Sequence, residues 1–249
     1  MNAVLGASGH LGAHLCRVLL AEGERVRAVV RASSRLDGLA GLPLETATAD
    51  LLDPAGLAAA LKDCTTAYLL GAPTDGSAAG ARTILDATRN ALEAARAAGV
   101  GRVVYTSSIV TVGYSADPRV VLDEHTASCT PATPYHTAKW DAERFVLRFA
   151  RDTRLPVVVV NPAAIVGPLD FRVTPSTAPI DRCLTRGLGA APTGGITVAH
   201  AEDVARGHLL AMRRGRPGER YILGGDRVTL PDYFRLICWA CDRRPPRVT

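Results

Sequence analysis

Apolar residues along this chain fall into two alternating kinds of segment. Short β-branched runs read as strands, and longer stretches with apolar positions three or four apart read as helices. "NAVLG" and "RVRAVVR" predict strands on either side of "HLGAHLCRVLLAEG", where Leu11, Leu15, Val18 and Leu19 share one helical face and Gly23 ends the helix. "LETATAD" predicts a third, weaker strand, followed by the helix "PAGLAAALKDC" with proline in its first turn. "TAYLLGAP" predicts the fourth strand, and an Ala-rich helix runs from about Ala79 to Ala98, stopping at Gly99. "GRVVYTSS" gives a fifth strand, "TPYHTAKWDAERFVLRFARD" the next helix, and "LPVVVVNP" a sixth strand of the unbroken kind buried on both faces of a parallel sheet. The helix "AEDVARGHLLAMRRG" and the strand "ERYILGG" come last.

This alternation predicts an α/β fold with a doubly wound parallel sheet. Between Gly167 and about Ala199, prolines, glycines and threonines break the rhythm, so no further full strand-helix unit is expected there. The expectation is a dinucleotide-binding domain over 1–166 and a small, shortened substrate region over 167–249, lying over the sheet edge as a lid. Residues 201–224 are expected to return a helix and a strand to the main sheet.

At 249 residues the chain is long enough for one large core, or one core with a smaller appended region. No run reaches the roughly 18 apolar residues of a membrane-spanning helix, and the N-terminus lacks the phases of a signal peptide. The expected location is the cytoplasm. Six cysteines, Cys16, Cys64, Cys129, Cys183, Cys238 and Cys241, are too sparse for a disulfide framework. "CWAC" has the spacing of a redox or zinc half-site, but without a second such pair it reads as buried, inert thiols, and no metal site is expected. The net charge of +5 is spread along the chain and aromatics make up only 5%, which argues against a nucleic-acid surface and suits an anionic cofactor.

Candidate chemistry begins at "GASGHLG", where Gly6, Gly9 and Gly12 stand between the first strand and the first helix. Glycines there permit a tight turn and let a pyrophosphate approach backbone N–H groups at the helix N-terminus, as in a Rossmann fold. The alternative is a turn that merely packs strand against helix. The candidate phosphate-binding stretch comprises Gly6, Ser8, Gly9, His10, Leu11 and Gly12, with His10 read as a packing residue rather than a catalytic one. After the second strand, "VVRASSR" places Arg31, Ser33, Ser34 and Arg35 before any carboxylate, the first being Asp37. Arginine with hydroxyl donors there favours a 2′-phosphate, hence NADP(H) over NAD(H), unless the turn is only a solvated basic one. Asp50 and Leu51 follow the third strand, Asp50 as an acceptor for the adenine amino group.

The fifth strand ends in Thr106, Ser107 and Ser108, whose hydroxyls are candidates to bond a substrate oxygen. In the next helix Thr133 is a candidate N-cap, Pro134 suits the first turn, and Tyr135 and Lys139 fall one turn apart on one face. A phenol of pKa about 10 is a poor catalyst at neutral pH, and a nearby ammonium together with a positively charged oxidised nicotinamide would lower it. Taken alone, the pair is also what chance places on an amphipathic helix.

The order GASGHLG, Asp50, YTSS, YHTAK, "VNPAAIVGP" resembles the extended short-chain dehydrogenase/reductase superfamily, the NAD(P)-dependent epimerase/dehydratases. "GPLDFRVTPS" and "AHAEDVARGHLLAMRRGRPGERYILGG" look most like its dihydroflavonol reductase-like branch, which includes hopanoid-associated sugar epimerases. The resemblance covers nearly the whole chain. It implies a catalytic triad at Ser108, Tyr135 and Lys139, NAD(P) on the glycine motif, and an approach of Asn161 and Pro162 to the nicotinamide. It also implies a homodimer formed by the two long helices. The sequence stops at "RRPPRVT", where relatives usually run on, so the expectation is either a truncated chain or an unusually open substrate pocket. The implied activity is NADP-dependent hydride transfer on a small carbonyl or alcohol. The alternatives are a nucleotide-sugar epimerase or dehydratase, and a non-catalytic dinucleotide-binding protein.

Overall fold

Seven of the strands join in one parallel sheet in the order β10-β6-β5-β4-β1-β2-β3. They are β1 (Asn2–Leu5), β2 (Val26–Val30), β3 (Glu45–Thr48), β4 (Thr66–Leu69), β5 (Arg102–Thr106), β6 (Val157–Pro162) and β10 (Arg220–Leu223). The computed structural model describes residues 1–71, 78–117, 119–126 and 133–248. Cys129, and Ala72 and Pro73 at the end of the expected fourth strand, lie outside the described residues.

The helices α1 (His10–Ala21), α2 (Pro54–Leu61), α3 (Ala78–Ala97), α4 (Pro134–Thr153) and α6 (Ala201–Arg214) cover both faces of this sheet. Period-two alternation along each strand divides the core accordingly. Ala3, Leu5, Val157 and Val159 face Leu57, Leu61, Ile84, Leu92 and Val146 of α2, α3 and α4. Val4, Val158 and Val160 face Leu11, Leu15, Leu19, Val204 and Leu209 of α1 and α6. Every position of β6 is buried, so its apolar run has a partner on both sides, whereas edge strand β3 is mostly exposed and reads weakly for that reason.

One polar link crosses this core. His208 of α6 is wholly buried; its Nε2 lies 2.8 Å from Thr106 Oγ1 and its Nδ1 2.7 Å from the Val204 carbonyl. The carbonyl only accepts, so Nδ1 donates to it and Nε2 accepts from the threonine hydroxyl. Burial holds its pKa down to about 4, from 6.5. The unfolded chain therefore takes up a proton near pH 6.5 that the folded chain refuses until about pH 4, and stability falls as pH falls through that window. This group alone should remove about 2 kcal/mol between about pH 7 and about pH 5. Urea unfolding of the native protein and His208→Asn at both pH values checks this: the variant should lose less stability on acidification.

A second, smaller lobe rises from the ends of β6 and β10. It contains β7 (Ala164–Val166), α5 (Ala178–Arg186), β8 (Ala190–Ala191), β9 (Gly195–His200), β11 (Asp226–Thr229), α7 (Leu230–Ala240) and β12 (Arg247–Val248). β9 pairs antiparallel with β11 and parallel with β7, and β12 pairs with β8. Its core is Cys183, Leu188, Tyr233, Ile237 and Cys238.

This corrects the expectation that Gly167–Ala199 would supply no further strand-helix unit, since α5, β8 and β9 all lie in it. β9 is a half-buried strand held by pairing with β11, far along the chain, and local composition carries no sign of such a partner. α5 has proline in its first turn, and the loop before it is tied by Thr177 Oγ1 donating to Asp170 Oδ2 at 2.5 Å. Cys238 of "CWAC" is buried with its Sγ 3.6 Å from that of Cys183, a neighbour that sequence spacing does not reveal. Burial pushes the Cys183 thiol up. Among the described residues, no cluster of three or more His, Cys, Asp or Glu side chains is arranged to hold a metal ion, and no helix is long and apolar enough to cross a membrane.

Candidate active site

β1 lies between β4 and β2, the point where strand order reverses and where open parallel sheets present a crevice. Gly6 leaves β1 there with φ +87°, and a Cβ on it would stand 2.8 Å from Gly71 Cα at the end of β4. A Cβ on Gly12 would meet Ala7 Cα at 2.7 Å, so this glycine closes helix α1 onto the turn. Gly9 is different. A Cβ there would have one neighbour within 4 Å, the Gly6 carbonyl oxygen at 3.3 Å, so the missing side chain leaves open space. Gly9 is also the N-cap of α1, gives no side-chain cap, and no acidic residue stands in the first turn. A bare helix N-terminus with room above it fits a pyrophosphate.

The flanks hold the other expected cofactor residues. Arg31 is exposed after β2, and its backbone N–H donates to Ser34 Oγ at 3.2 Å. Arg35 does not stand ready as expected. Its guanidinium donates to both carboxylate oxygens of Asp37, at 3.0 and 3.3 Å, because the short 3-10 turn at Asp37–Leu39 brings that side chain back. Asp50 is exposed, with Oδ1 accepting from Leu52 N–H at 2.9 Å. Leu51 rests against the switch point, since a Cβ on Gly71 would meet its Cδ1 at 2.6 Å. Ser8, His10, Arg35 and Asp37 line one cleft together with Asp170 and Arg172 of the small lobe.

His10 packs, as its reading as a structural side chain expects. Its ring sits 5.6 Å from that of His14, and its Nδ1 is 3.9 Å from Asp170 Oδ2. Burial lowers its pKa, with Asp170 opposing. His14 Nε2 donates to the Pro168 carbonyl at 2.9 Å, so two histidines of α1 hold the loop that follows β7. Neither contact is visible in sequence, because each partner is more than a hundred residues away.

At the other end of the crevice, Ser108 follows β5 and caps a 3-10 turn over Ile109–Thr111, its Oγ accepting from Val110 N–H at 3.4 Å. Ser107 N–H donates to the Val160 carbonyl at 2.8 Å, which lays the end of β6, including buried Pro162, alongside. Thr133 caps α4 by accepting from His136 N–H at 3.3 Å, and Pro134 occupies the first turn. That start brings Tyr135 beside Ser108, whose hydroxyl opposes the effect of burial on the phenol. Lys139 is 4% exposed; its Nζ donates to the Thr106 carbonyl at 3.2 Å and stands 5.9 Å from the Tyr105 ring centroid.

Ser108, Tyr135 and Lys139 thus converge, but their electrostatics differ from the simple pairing expected. Burial pushes the Tyr135 phenol up from its ordinary value, and the opposing influence is the Ser108 hydroxyl. Burial also brings Lys139 down to about 8, with Glu143 opposing. The ammonium is drawn to the Thr106 carbonyl and Glu143, so the phenol keeps its proton at neutral pH. A half-buried phenol beside a hydroxyl, one helical turn from an ammonium, is equipped to give a proton to an oxygen placed beside it.

Behind this trio lies a network that the sequence does not announce. Glu143, 2% exposed, accepts from Thr111 Oγ1 at 2.8 Å, Asn161 Nδ2 at 2.7 Å and Arg220 Nη1 at 2.8 Å. In sequence it is one more polar position on a helix. Its place one turn beyond Lys139 was the available signal.

A family model described as the NAD dependent epimerase/dehydratase family matches residues 3–224. A putative dihydroflavonol 4-reductase of Synechocystis sp. is 36% identical over 237 residues, spanning 91% of this chain and 68% of the relative. The sterol demethylase protein B of Methylococcus capsulatus is 38% identical over 233 residues, spanning 91% of this chain and 70% of the relative. Among solved structures, a nucleoside-diphosphate-sugar epimerase from Pseudomonas aeruginosa superposes with a TM-score of 0.88 at 29% identity, over 100% of this chain and 80% of that one.

Proposed function

The chain belongs to the NAD dependent epimerase/dehydratase family of extended short-chain dehydrogenase/reductase enzymes, and from that premise we propose that it is an NADP-preferring oxidoreductase acting on a small carbonyl or alcohol. The observation that carries this reading is the convergence of Ser108, Tyr135 and Lys139 at the end of β5, on the same edge of the parallel sheet as the Gly6–Gly12 turn that follows β1. A bound nicotinamide dinucleotide supplies hydride transfer, chemistry that side chains lack.

The chain's own residues do the rest. Backbone N–H groups of the Gly6–Gly12 turn, with Ser8, His10 and Leu11, receive the pyrophosphate at the start of α1. Arg31 and Ser34 take the 2′-phosphate, with Arg35 already paired to Asp37 as a flanking charge. Asp50 and Leu51 border the adenine, and Pro162 borders the nicotinamide. Lys139 holds ribose hydroxyls, Ser108 orients the substrate oxygen, and Tyr135 gives that oxygen its proton. The small lobe would supply the substrate pocket. The similarity to a dihydroflavonol 4-reductase supports the reducing direction.

Arg31 carries the choice of cofactor. Its replacement by alanine should weaken NADPH about tenfold to a hundredfold, the worth of one charge-assisted contact, and leave NADH nearly unchanged. Calorimetry with both nucleotides decides it; an equal loss for both removes the role.

A second reading, a nucleotide-sugar epimerase or dehydratase, draws on the similarity to the Pseudomonas aeruginosa epimerase. There hydride would be taken and returned at one site. Incubation with a panel of sugar nucleotides tests it, since isomerised or dehydrated product without net cofactor turnover would displace the reductase reading.

A further inference from the structure

We propose that Glu143 is a positioning residue of this site: one buried carboxylate holds the Ser108 turn and the strand ends behind it, and serves as the counter-charge of Lys139. The inference rests on the assignment of Ser108, Tyr135 and Lys139 given above, and it adds a residue to that site.

A buried carboxylate is costly unless it is paired and hydrogen-bonded. Glu143 meets both conditions with partners from three other elements. Oε2 accepts from Thr111 Oγ1 and from Asn161 Nδ2, and Oε1 accepts from Arg220 Nη1. Each partner extends the hold. Asn161, at the end of β6, also donates from Nδ2 to the Ser108 carbonyl at 3.2 Å. Since that carbonyl and the carboxylate both only accept, the amide must present nitrogen to them. Thr111 Oγ1 lies 2.9 Å from the same Ser108 carbonyl, but its one proton serves either that carbonyl or the carboxylate, so the Asn161 amide is the donor that joins the two. Arg220, at the start of β10, donates to the carbonyls of Glu124 and Thr126, and Glu124 Oε1 accepts from Ile222 N–H at 2.9 Å. The segment approaching α4 is thereby tied to the far edge of the sheet.

The electrostatic half follows from what surrounds Lys139. Glu143 and Tyr135 face it from α4, and the Thr106 carbonyl and Tyr105 ring from β5, with Arg220 bound to the far oxygen of Glu143. Glu143 is the negative charge in that set. It opposes the burial that otherwise strips Lys139 of its proton.

The chain has two lysines, Lys62 and Lys139, and Lys62 is exposed, so lysine-labelled protein gives two readily assigned side-chain signals in an NMR pH titration. The native protein should show a Lys139 midpoint of about 8. In Glu143→Gln that midpoint should fall by about one pH unit or more, as expected on losing an adjacent opposite charge. Glu143→Asp should recover part of the shift. A purely structural role would lower the unfolding temperature without moving Lys139, and an unmoved midpoint in folded Glu143→Gln overturns the proposal. Should that variant fail to fold, Arg220→Met reads the same coupling in reverse. With the competing cation gone, the Lys139 midpoint should rise, and an unchanged midpoint counts equally against the proposal. The titration needs neither cofactor nor substrate. NADPH binding by the native protein, measured beside it, reports separately on the proposed function.

Discussion

Tyr135→Phe is expected to abolish turnover and leave NADPH binding almost intact. Loss of a positioned general acid typically lowers a rate by about 10²–10⁴-fold. Tyr135 stands beside Ser108 at the end of β5 with its phenol protonated at neutral pH, and the neighbouring ammonium is engaged by the Thr106 carbonyl. The phenylalanine ring would keep the contacts of Tyr135 with the α2–α3–α4 core, so stability should change by no more than the roughly 1 kcal/mol of one hydrogen bond. The test is steady-state reduction and calorimetric binding on the same preparation. Near-normal binding with lost turnover supports the assignment, and retained turnover removes it. Lys139 adds a pH signature: with a pKa of about 8 it is charged below that value and neutral above it, so NADPH affinity should weaken as pH rises through about 8.

The second large effect is expected at the glycine turn, where two substitutions should fail for different reasons. Gly12→Val drives a side chain into the backbone of Ala7, with the first added carbon already at 2.7 Å. The turn must then open, and the variant should lose both cofactor binding and about 1–3 kcal/mol of stability from overpacking. Gly9→Val meets a milder obstacle, its first added carbon standing 3.3 Å from the Gly6 carbonyl oxygen, which must give by a few tenths of an ångström. Gly9 has φ −79° and ψ 169°, which other residues adopt readily, and its Cβ direction is open apart from the Gly6 carbonyl oxygen. It should fold normally and bind NADPH about a hundredfold more weakly, a loss of about 2.7 kcal/mol, because the side chain fills space reserved for phosphate. Thermal unfolding alongside calorimetry separates the two cases. Full NADPH affinity in Gly9→Val would mean that the turn serves strand-helix packing alone.

That contrast also shows how much was legible before the structure. The glycine positions, the Thr133 cap and the Tyr135–Lys139 spacing are local patterns, each imposed by backbone geometry within one turn of chain, and they stand where the periodicity puts them. The apolar strands were legible for the same reason, since a strand buried on both faces has no polar position to mislead. What escaped depends on partners distant in sequence. The β9 strand is stabilised by β11, Arg35 is turned aside by a carboxylate brought back through a 3-10 turn, and Asp170 reaches His10 from the small lobe. Glu143 is the clearest case. Its residue type gives no hint of burial, and the neighbours that make burial tolerable, Thr111, Asn161 and Arg220, come from three separate parts of the chain. Burial of Tyr135 and Lys139 likewise depends on distant partners: it raises the phenol and lowers the ammonium.

The most direct test of the central claim is oxidation of NADPH across a panel of small ketones and aldehydes, run in parallel with native protein, Tyr135→Phe and NADH in place of NADPH. Substrate-dependent loss of the reduced nicotinamide absorbance with native protein and NADPH, much slower with NADH and absent in Tyr135→Phe, is the predicted result. Interconversion of a sugar nucleotide with no net loss of that absorbance, alongside no carbonyl reduction, would contradict it.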